Sequence, residues 1–413
     1  MTVHASFEPR LASFEPAGPV TVVHVTTAPM ALLAFFGGQL QYMRERGFRV
    51  VAVTSPGEHL DKVMARERIE VHTVEMARRI TPLGDLAALV RLCGLFRQLR
   101  PQVVHSHTPK AGMLGMLAAW LTGVPVRVYS CHGLPHVTAS GMRRRLLVAS
   151  EAMSCRLSQV TVCVGASVRR TLLDEGVAGD DKMTVFGNGS ANGVDADVRF
   201  NPARLAPGAA QAARAAHGIP ADAPLVLFVG RLVRDKGVVE LQQAWARVRE
   251  QFPKAHLLLV GPPEEQDPVP AGVLEALRAD DRVHFAGFVD EMAAVYAAAD
   301  VVALPTYREG LPYVPLEAAA MARPVVCSDV PGCTDAVRDG VTGTLVRVRD
   351  VAALAGAVGR YLADPGLRER HGRAGRARVL ADFRPEAIWR STYETYRRLL
   401  TGRVPALDAI ASD

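Results

Sequence analysis

A chain of 413 residues, 49% hydrophobic and 22% charged, is too long for one ordinary core and too apolar for a disordered or fibrous protein, so two domains are expected. Six cysteines (Cys93, Cys131, Cys155, Cys163, Cys327 and Cys333) lack Cys-x-x-Cys spacing and sit mostly in apolar stretches, which argues against a disulfide framework. The net charge of +6 suits a nucleotide, an anionic membrane surface or simply a soluble protein; nucleic acid is the weakest candidate, since the basic residues are not interleaved with stacking aromatics, and none is expected as a partner.

In chain order, residues 1–18 carry a short duplication, Ala5–Pro9 and Ala12–Pro16, and read as a flexible tail without a signal peptide's basic start and apolar run. Strands are expected at Val20–Val25, Arg49–Thr54, Val103–His105, Val126–Tyr129 and Val160–Val164, with helices such as Leu83–Leu99 and Ala111–Leu121 between them. The rhythm breaks over the Pro/Ala-rich stretch Phe200–Ala223, which reads as a linker plus a loosely specified helix. It restarts at Leu225–Val229, His256–Val260, Val283–Phe285, Val301–Leu304 and Val325–Cys327. Continuous apolar strands separated by helices mean parallel sheets covered on both faces. The expectation is an α/β protein with two doubly wound, Rossmann-like domains, residues 19–200 and 201–383, facing a cleft that holds the substrate. A helix over residues 384–401 has no strand after it and would cross back to the first domain. No stretch has the roughly 18 uncharged apolar residues of a membrane-spanning helix.

Two segments of the second half carry chemistry. Gly230-Arg231 and Lys236-Gly237 follow the strand Leu225–Val229 and precede a helix, which places two cations where they could hold a diphosphate. Fixed cations there would stabilise the charge on a departing nucleotide diphosphate. For this segment alone, a decorated surface turn is the commoner meaning. After the strand Val301–Leu304 come two carboxylates eight residues apart, Glu309 on a glycine-containing loop and Glu317 expected in the first turn of the next helix. Backbone N–H groups at a helix start favour phosphate, and a nearby carboxylate can accept from sugar hydroxyls. The structural alternative is Glu317 as a favourable charge at a helix N-terminus and Glu309 as a solvated loop residue.

Gly230-Arg231 with Lys236-Gly237, the pair Glu309 and Glu317, and Gly287-Phe-Val-Asp290 together resemble the retaining glycosyltransferases of family four, which have the GT-B fold. The resemblance runs from about Val20 to Leu400. In the first half, His105-Ser-His107-Thr-Pro-Lys110-Ala-Gly112, Cys131-His132-Gly133-Leu-Pro135, Gly187–Asp195 and Arg78-Arg79-Ile-Thr81 resemble the branch that assembles bacterial capsular and other surface polysaccharides on polyprenyl-linked acceptors. The chain departs from that branch at Thr334 and at Ala322-Arg323. The resemblance implies that Arg231 and Lys236, after Gly230, grip the diphosphate and that Glu317 binds the ribose hydroxyls. It implies Glu309 on the transferred sugar, helped by the N–H groups of Gly310 and Leu311. It places His132 near the anomeric carbon and Gly37-Gly38 against the phosphates. The implied donor is a nucleotide diphosphate sugar, with uridine diphosphate carrying a hexose or N-acetylhexosamine as the choice.

No cofactor is expected, and no metal. His105 and His107 share one face of a strand end, but a third and fourth ligand are not evident, and no Asp-x-Asp is read as a clamp for Mg²⁺ on a diphosphate. The cluster Arg143, Arg144 and Arg145, leading into Leu146-Leu147, is usually a solvated face. Against anionic lipid each such cation contributes about 1 kcal/mol. Arg78, Arg79 and Lys110 join it as candidates for acceptor or membrane contact. The expected location is cytoplasmic, or the inner face of the cell membrane. Competing expectations are an enzyme that glycosylates a small natural product, a nucleotide-sugar epimerase, and a non-catalytic binder on the same fold.

Overall fold

The computed structural model describes residues 19–77, 79, 81–264 and 267–401. The duplicated segment and Arg78 lie outside the described residues.

Thirteen strands are present among the described residues: β1 (Thr21–Val25), β2 (Arg49–Thr54), β3 (Glu70–Thr73), β4 (Val103–His107), β5 (Val126–Cys131), β6 (Val160–Cys163), β7 (Met183–Thr184), β8 (Leu225–Val229), β9 (His256–Val260), β10 (Val283–Gly287), β11 (Val301–Leu304), β12 (Val325–Ser328) and β13 (Gly343–Val346). They form a seven-stranded sheet of order β3-β2-β1-β4-β5-β6-β7 and a six-stranded sheet of order β10-β9-β8-β11-β12-β13. Pairings on both sides of β1 and of β8 are parallel. The central strands are buried along their length because helices cover both faces. In each sheet the strand order reverses beside the first strand, β1 or β8, and at such switch points α/β sheets bind ligands beyond the carboxyl ends of the strands.

Each of the ten expected strands is there. The three additional strands break the apolar rule: β3 reads Glu-Val-His-Thr with no fully buried residue, β7 has two residues, and β13 begins at a glycine. All three lie at sheet edges, where one side needs no continuous apolar cover. Helices start where the sequence supplies caps. Pro82–Leu99 and Pro109–Leu121 open on proline. Asp350 and Asp364 accept N–H bonds at 2.8 and 2.9 Å at the starts of Val351–Ala363 and Pro365–Asp382. The expected linker holds a 3-10 turn at Pro202–Arg204 and a helix at Ala209–Ala215.

The described residues divide into two compact units, one within 19–130, 150–161 and 389–401, the other within 131–149 and 162–388. Within the first, Trp389, Tyr393 and Tyr396 of the helix Pro385–Leu400 pack on Tyr42, Phe48 and His105.

Candidate functional site

In the second unit, β8 is followed by Gly230, whose N–H donates to the Val260 carbonyl at 2.9 Å, and Leu232 N–H donates to the Pro262 carbonyl at 2.8 Å. Arg231 is thereby held between two main-chain bonds at the strand's carboxyl end, with its guanidinium paired to Glu264. The next residues form a 3-10 turn, Arg234–Lys236. Asp267 fixes its start by accepting from Asp235 N–H at 2.7 Å. The Asp235 carbonyl accepts from Tyr307 N–H at 2.8 Å and Thr306 Oγ1 at 3.1 Å, so the turn carrying Lys236 and the loop carrying Glu309 are joined through their main chains. Lys236 and Glu309 form an ion pair, with side chains only 19% and 12% exposed. Glu309 is therefore not a solvated loop residue.

The loop after Glu309 is crowded by backbone. A Cβ on Gly310 would stand 2.1 Å from the His132 carbonyl oxygen, and one on Gly332 would stand 2.3 Å from the Gly310 carbonyl oxygen. Only glycine fits at either place, and Gly332 also holds φ of +83°. Gly332 N–H donates to Ser167 Oγ at 2.7 Å, and Ser167 in turn donates to Asp335 through its N–H and hydroxyl. His132, Gly310 and Gly332 thus form one packed stack of main chain. Leu311 is buried beside it.

Glu317 corrects the expectation that it lies in a helix's first turn. The helix is Tyr313–Ala320, preceded by Pro312, so Glu317 sits in its second turn, away from the free N–H groups. Its carboxylate accepts from the Tyr296 hydroxyl at 2.8 Å. Burial raises its pKa, opposed by the Tyr296 hydrogen bond and the nearby Arg199 charge. His132 is half-buried, and burial lowers its pKa to about 3, which leaves the imidazole neutral at physiological pH.

One Asp-x-Asp spacing does occur, Asp195-Ala-Asp197, which the sequence reading passed over. Asp195 accepts from Val198 N–H at 2.8 Å as a turn cap, and Asp197 lies 3.4 Å from Arg384 on the surface.

Gly37 and Gly38 belong to the first unit. Gly38 has φ of +78°, and a Cβ there would meet Trp389 at 2.8 Å. Lys110 is spent on Asp85, 2.6 Å away, and both side chains are mostly buried. Arg79, Arg143, Arg144 and Arg145 are exposed, and Arg144 pairs with Glu175. His105 and His107 share a face as their spacing predicts, and His24 of β1 stands beside them. Tyr296 and His24 escaped sequence reasoning, because no local spacing connects either to its partner.

Residues 34–189 match the model of the glycosyl transferase 4-like domain, and residues 223–364 that of glycosyl transferases group 1. The chain is 29% identical over 379 residues to CapM of Staphylococcus aureus, a capsular polysaccharide biosynthesis glycosyltransferase, covering 92% of this chain and 97% of that protein. It is 32% identical over 316 residues to the alpha-maltose-1-phosphate synthase of Mycobacterium tuberculosis, covering 72% of this chain and 79% of that one. Among solved structures, HepE of Anabaena in complex with UDP and glucose superposes with a TM-score of 0.76 at 20% identity, over 92% of this chain and all of that one. The sucrose-phosphate synthase of Thermosynechococcus elongatus gives 0.76 at 24% identity, over 93% of this chain and all of that one. These matches span both sheets and most of the chain, and the protein is a glycosyltransferase of the family-four kind, a member of the group 1 glycosyl transferases with the GT-B fold.

Proposed function

We propose that this glycosyltransferase moves a hexose or N-acetylhexosamine from a UDP-sugar to a hydroxyl of a polyprenyl-linked saccharide in surface polysaccharide assembly, with retention of configuration and without a metal ion on the diphosphate. The observation that carries the reading is the Lys236–Glu309 pair, a cation and a carboxylate set on joined loops at the carboxyl end of β8. In the proposed roles Lys236 and Arg231 offset the charge that develops on the leaving diphosphate. Glu309, with the N–H groups of Gly310 and Leu311, accepts and donates to the transferred sugar. Glu317, steadied by Tyr296, takes the ribose hydroxyls. UDP is favoured because HepE, of the same fold, was solved with UDP and glucose.

A double displacement would need a carboxylate beneath the anomeric carbon. Glu309 is engaged with Lys236 and Glu317 with Tyr296, so neither suits that task. A front-face substitution follows, in which the acceptor hydroxyl approaches on the side from which the diphosphate leaves and a phosphate oxygen takes its proton. A neutral His132 would hydrogen-bond or shield the oxocarbenium-like centre.

A lipid-linked acceptor is supported by two exposed faces. The helix Pro82–Leu99 presents Leu83, Leu86 and Val90 to solvent, and Gly141–Leu157 presents Met142 and Leu146 among Arg143, Arg144 and Arg145. Among the described residues no helix is long and apolar enough to cross a membrane, so contact would be peripheral, at the cytoplasmic face. The reading is tested by incubating purified protein with a panel of sugar nucleotides, each with and without a polyprenyl-linked saccharide, and measuring diphosphate release. UDP release that rises with the lipid-linked acceptor is expected. Release that rises only with a small soluble acceptor would overturn the acceptor, and release from no UDP-sugar would overturn the donor.

A further inference from the structure

Behind the loop of Glu309 and Gly310 stands a polar relay, Asp335 and Ser167, that has no part in the roles given above. The helix Ala166–Asp174 begins after Gly165, which has no side chain to cap it. Its cap comes from Asp335, 168 residues away. The Asp335 carboxylate accepts from Ser167 N–H, at 3.0 Å to one oxygen and 3.3 Å to the other, and from the Ser167 hydroxyl at 2.7 Å. A Cβ on Gly165 would stand 2.3 Å from Asp335 Oδ2, so the missing side chain is what admits the carboxylate. Asp350 and Asp364 cap their own helices, which is all that a helix end needs. A cap brought from a distant segment also ties that segment to the helix.

The tie leads to Glu309. The single proton of the Ser167 hydroxyl goes to Asp335, which leaves a lone pair for Gly332 N–H, 2.7 Å away. Gly332 lies directly against the loop: a Cβ on it would stand 2.3 Å from the Gly310 carbonyl oxygen and 3.2 Å from Glu309 Cβ. Leu311 touches the start of the helix, its Cδ1 3.5 Å from where a Cβ on Gly165 would be. Arg378 fixes the far end, donating to the carbonyls of Asp335 at 2.5 Å and Ala336 at 2.7 Å. A shift of the Ser167 hydroxyl would therefore pass through Gly332 to the carboxylate beside Lys236.

We propose that Ser167 and Asp335 are positioning residues of the transfer reaction. Asp335 orients the Ser167 hydroxyl, the hydroxyl holds Gly332, and Gly332 keeps Glu309 and Gly310 in place for the transferred sugar. These roles rest on the reading of Glu309 as the group that serves that sugar. The nucleotide half of the donor belongs to Arg231, Lys236 and Glu317 in the same reading, so the relay should matter for the sugar far more than for UDP.

The test uses the full chain and the UDP-sugar that releases UDP fastest in the panel above. Misplacing a group by about 1 Å can cost 10²-fold in rate, so Ser167→Ala and Asp335→Ala should each lower kcat at least ~10-fold. The Kd of UDP alone, measured by calorimetry on the same samples, should stay close to wild type. Asp335→Asn keeps an oxygen for both bonds from Ser167 and should restore most of the turnover. In a Glu309→Ala background, Ser167→Ala should cost little more, because residues that act through one another are not additive. Unchanged turnover in Ser167→Ala overturns the proposal, and so does UDP affinity that falls as far as turnover, the mark of a structural defect. Asp335→Asn as impaired as Asp335→Ala overturns it too. Removing one hydroxyl adds no bulk, so the Ser167→Ala result stands even if Asp335→Ala fails to fold. If Glu309→Ala alone leaves turnover intact, the reading of Glu309 fails and the proposal with it; if Glu309→Ala is impaired and Ser167→Ala is not, only the proposal fails.

Discussion

Lys236 is one of the cations that follow β8, and its charge is held by a turn whose backbone is bonded to Asp267 on one side and to Thr306 and Tyr307 on the other. A charge so preorganised does not have to reorient as the diphosphate leaves, and deleting one such group typically costs 10²–10³ in turnover. Lys236→Ala and Arg231→Ala should each lower kcat by at least ~10²-fold, read by UDP release at saturating donor. Near-wild-type turnover in both would remove them from the site. Lys236→Ala also strands the mostly buried Glu309 carboxylate, so a fall in melting temperature should accompany it, whereas Arg231, whose side chain is 45% exposed, should show little. His132 gives a second test at this scale. Its folded pKa of about 3 lies below the ordinary 6.5, so between those values the unfolded chain binds the proton and the folded one does not. Its contribution to stability is complete above about pH 6.5 and is lost progressively as pH falls toward 3. The urea midpoint of wild type should drop more between pH 7.5 and 5 than that of His132→Gln; equal drops would contradict the assignment.

Elements differ in how much of them can be read from the chain. Central strands such as Leu225–Val229 were legible to the residue, because burial on both faces forces an unbroken apolar run. The strand β3 was not, since an edge tolerates Glu70 and Thr73. Glu309 could be placed on its loop, but its pairing with Lys236 depends on how two loops 73 residues apart are bonded, which no local pattern encodes. The Tyr296–Glu317 bond is hidden for the same reason. Glycines sort by surroundings in a way that can be measured. Gly310→Ala would drive a methyl into the His132 carbonyl and should lower donor affinity by at least ~10-fold, following the rate losses that ångström-scale misplacement causes. Gly94 lies within the helix Pro82–Leu99 with open space around it, and Gly94→Ala should raise stability by about 0.5–1 kcal/mol without touching donor binding. Equal donor affinity in both variants would argue against the packed stack at Gly310. The exposed apolar face of that helix yields a further expectation. Replacing Leu83, Leu86 and Val90 together by serine should abolish co-flotation with anionic vesicles while leaving the melting temperature nearly unchanged. Undiminished flotation would exclude this face.

For the molecule as a whole, the decisive observable is the product. An α-linked donor should give an α-linked saccharide by NMR, and a β-linkage would mean inversion and refute the proposed mechanism. A trapped glycosyl ester on Glu309 would preserve retention and replace front-face substitution with double displacement. Added Mg²⁺ or Mn²⁺ should leave the rate unchanged if Arg231 and Lys236 supply the charge. The discontinuity of the first unit matters in another respect, the order in which the chain is made. Residues 1–130 and 150–161 leave the ribosome early, but Trp389, which covers Gly38, and Tyr396, which meets His105, come after the entire second unit. At about 5–20 residues per second, the roughly 230 residues between Thr161 and Trp389 take on the order of 10–50 s to synthesise. For that interval the nascent first unit holds Phe48 and its histidine-lined face without their native cover. Chaperone engagement should therefore concentrate on the part of the protein translated first, and it should end only when residues near 400 emerge.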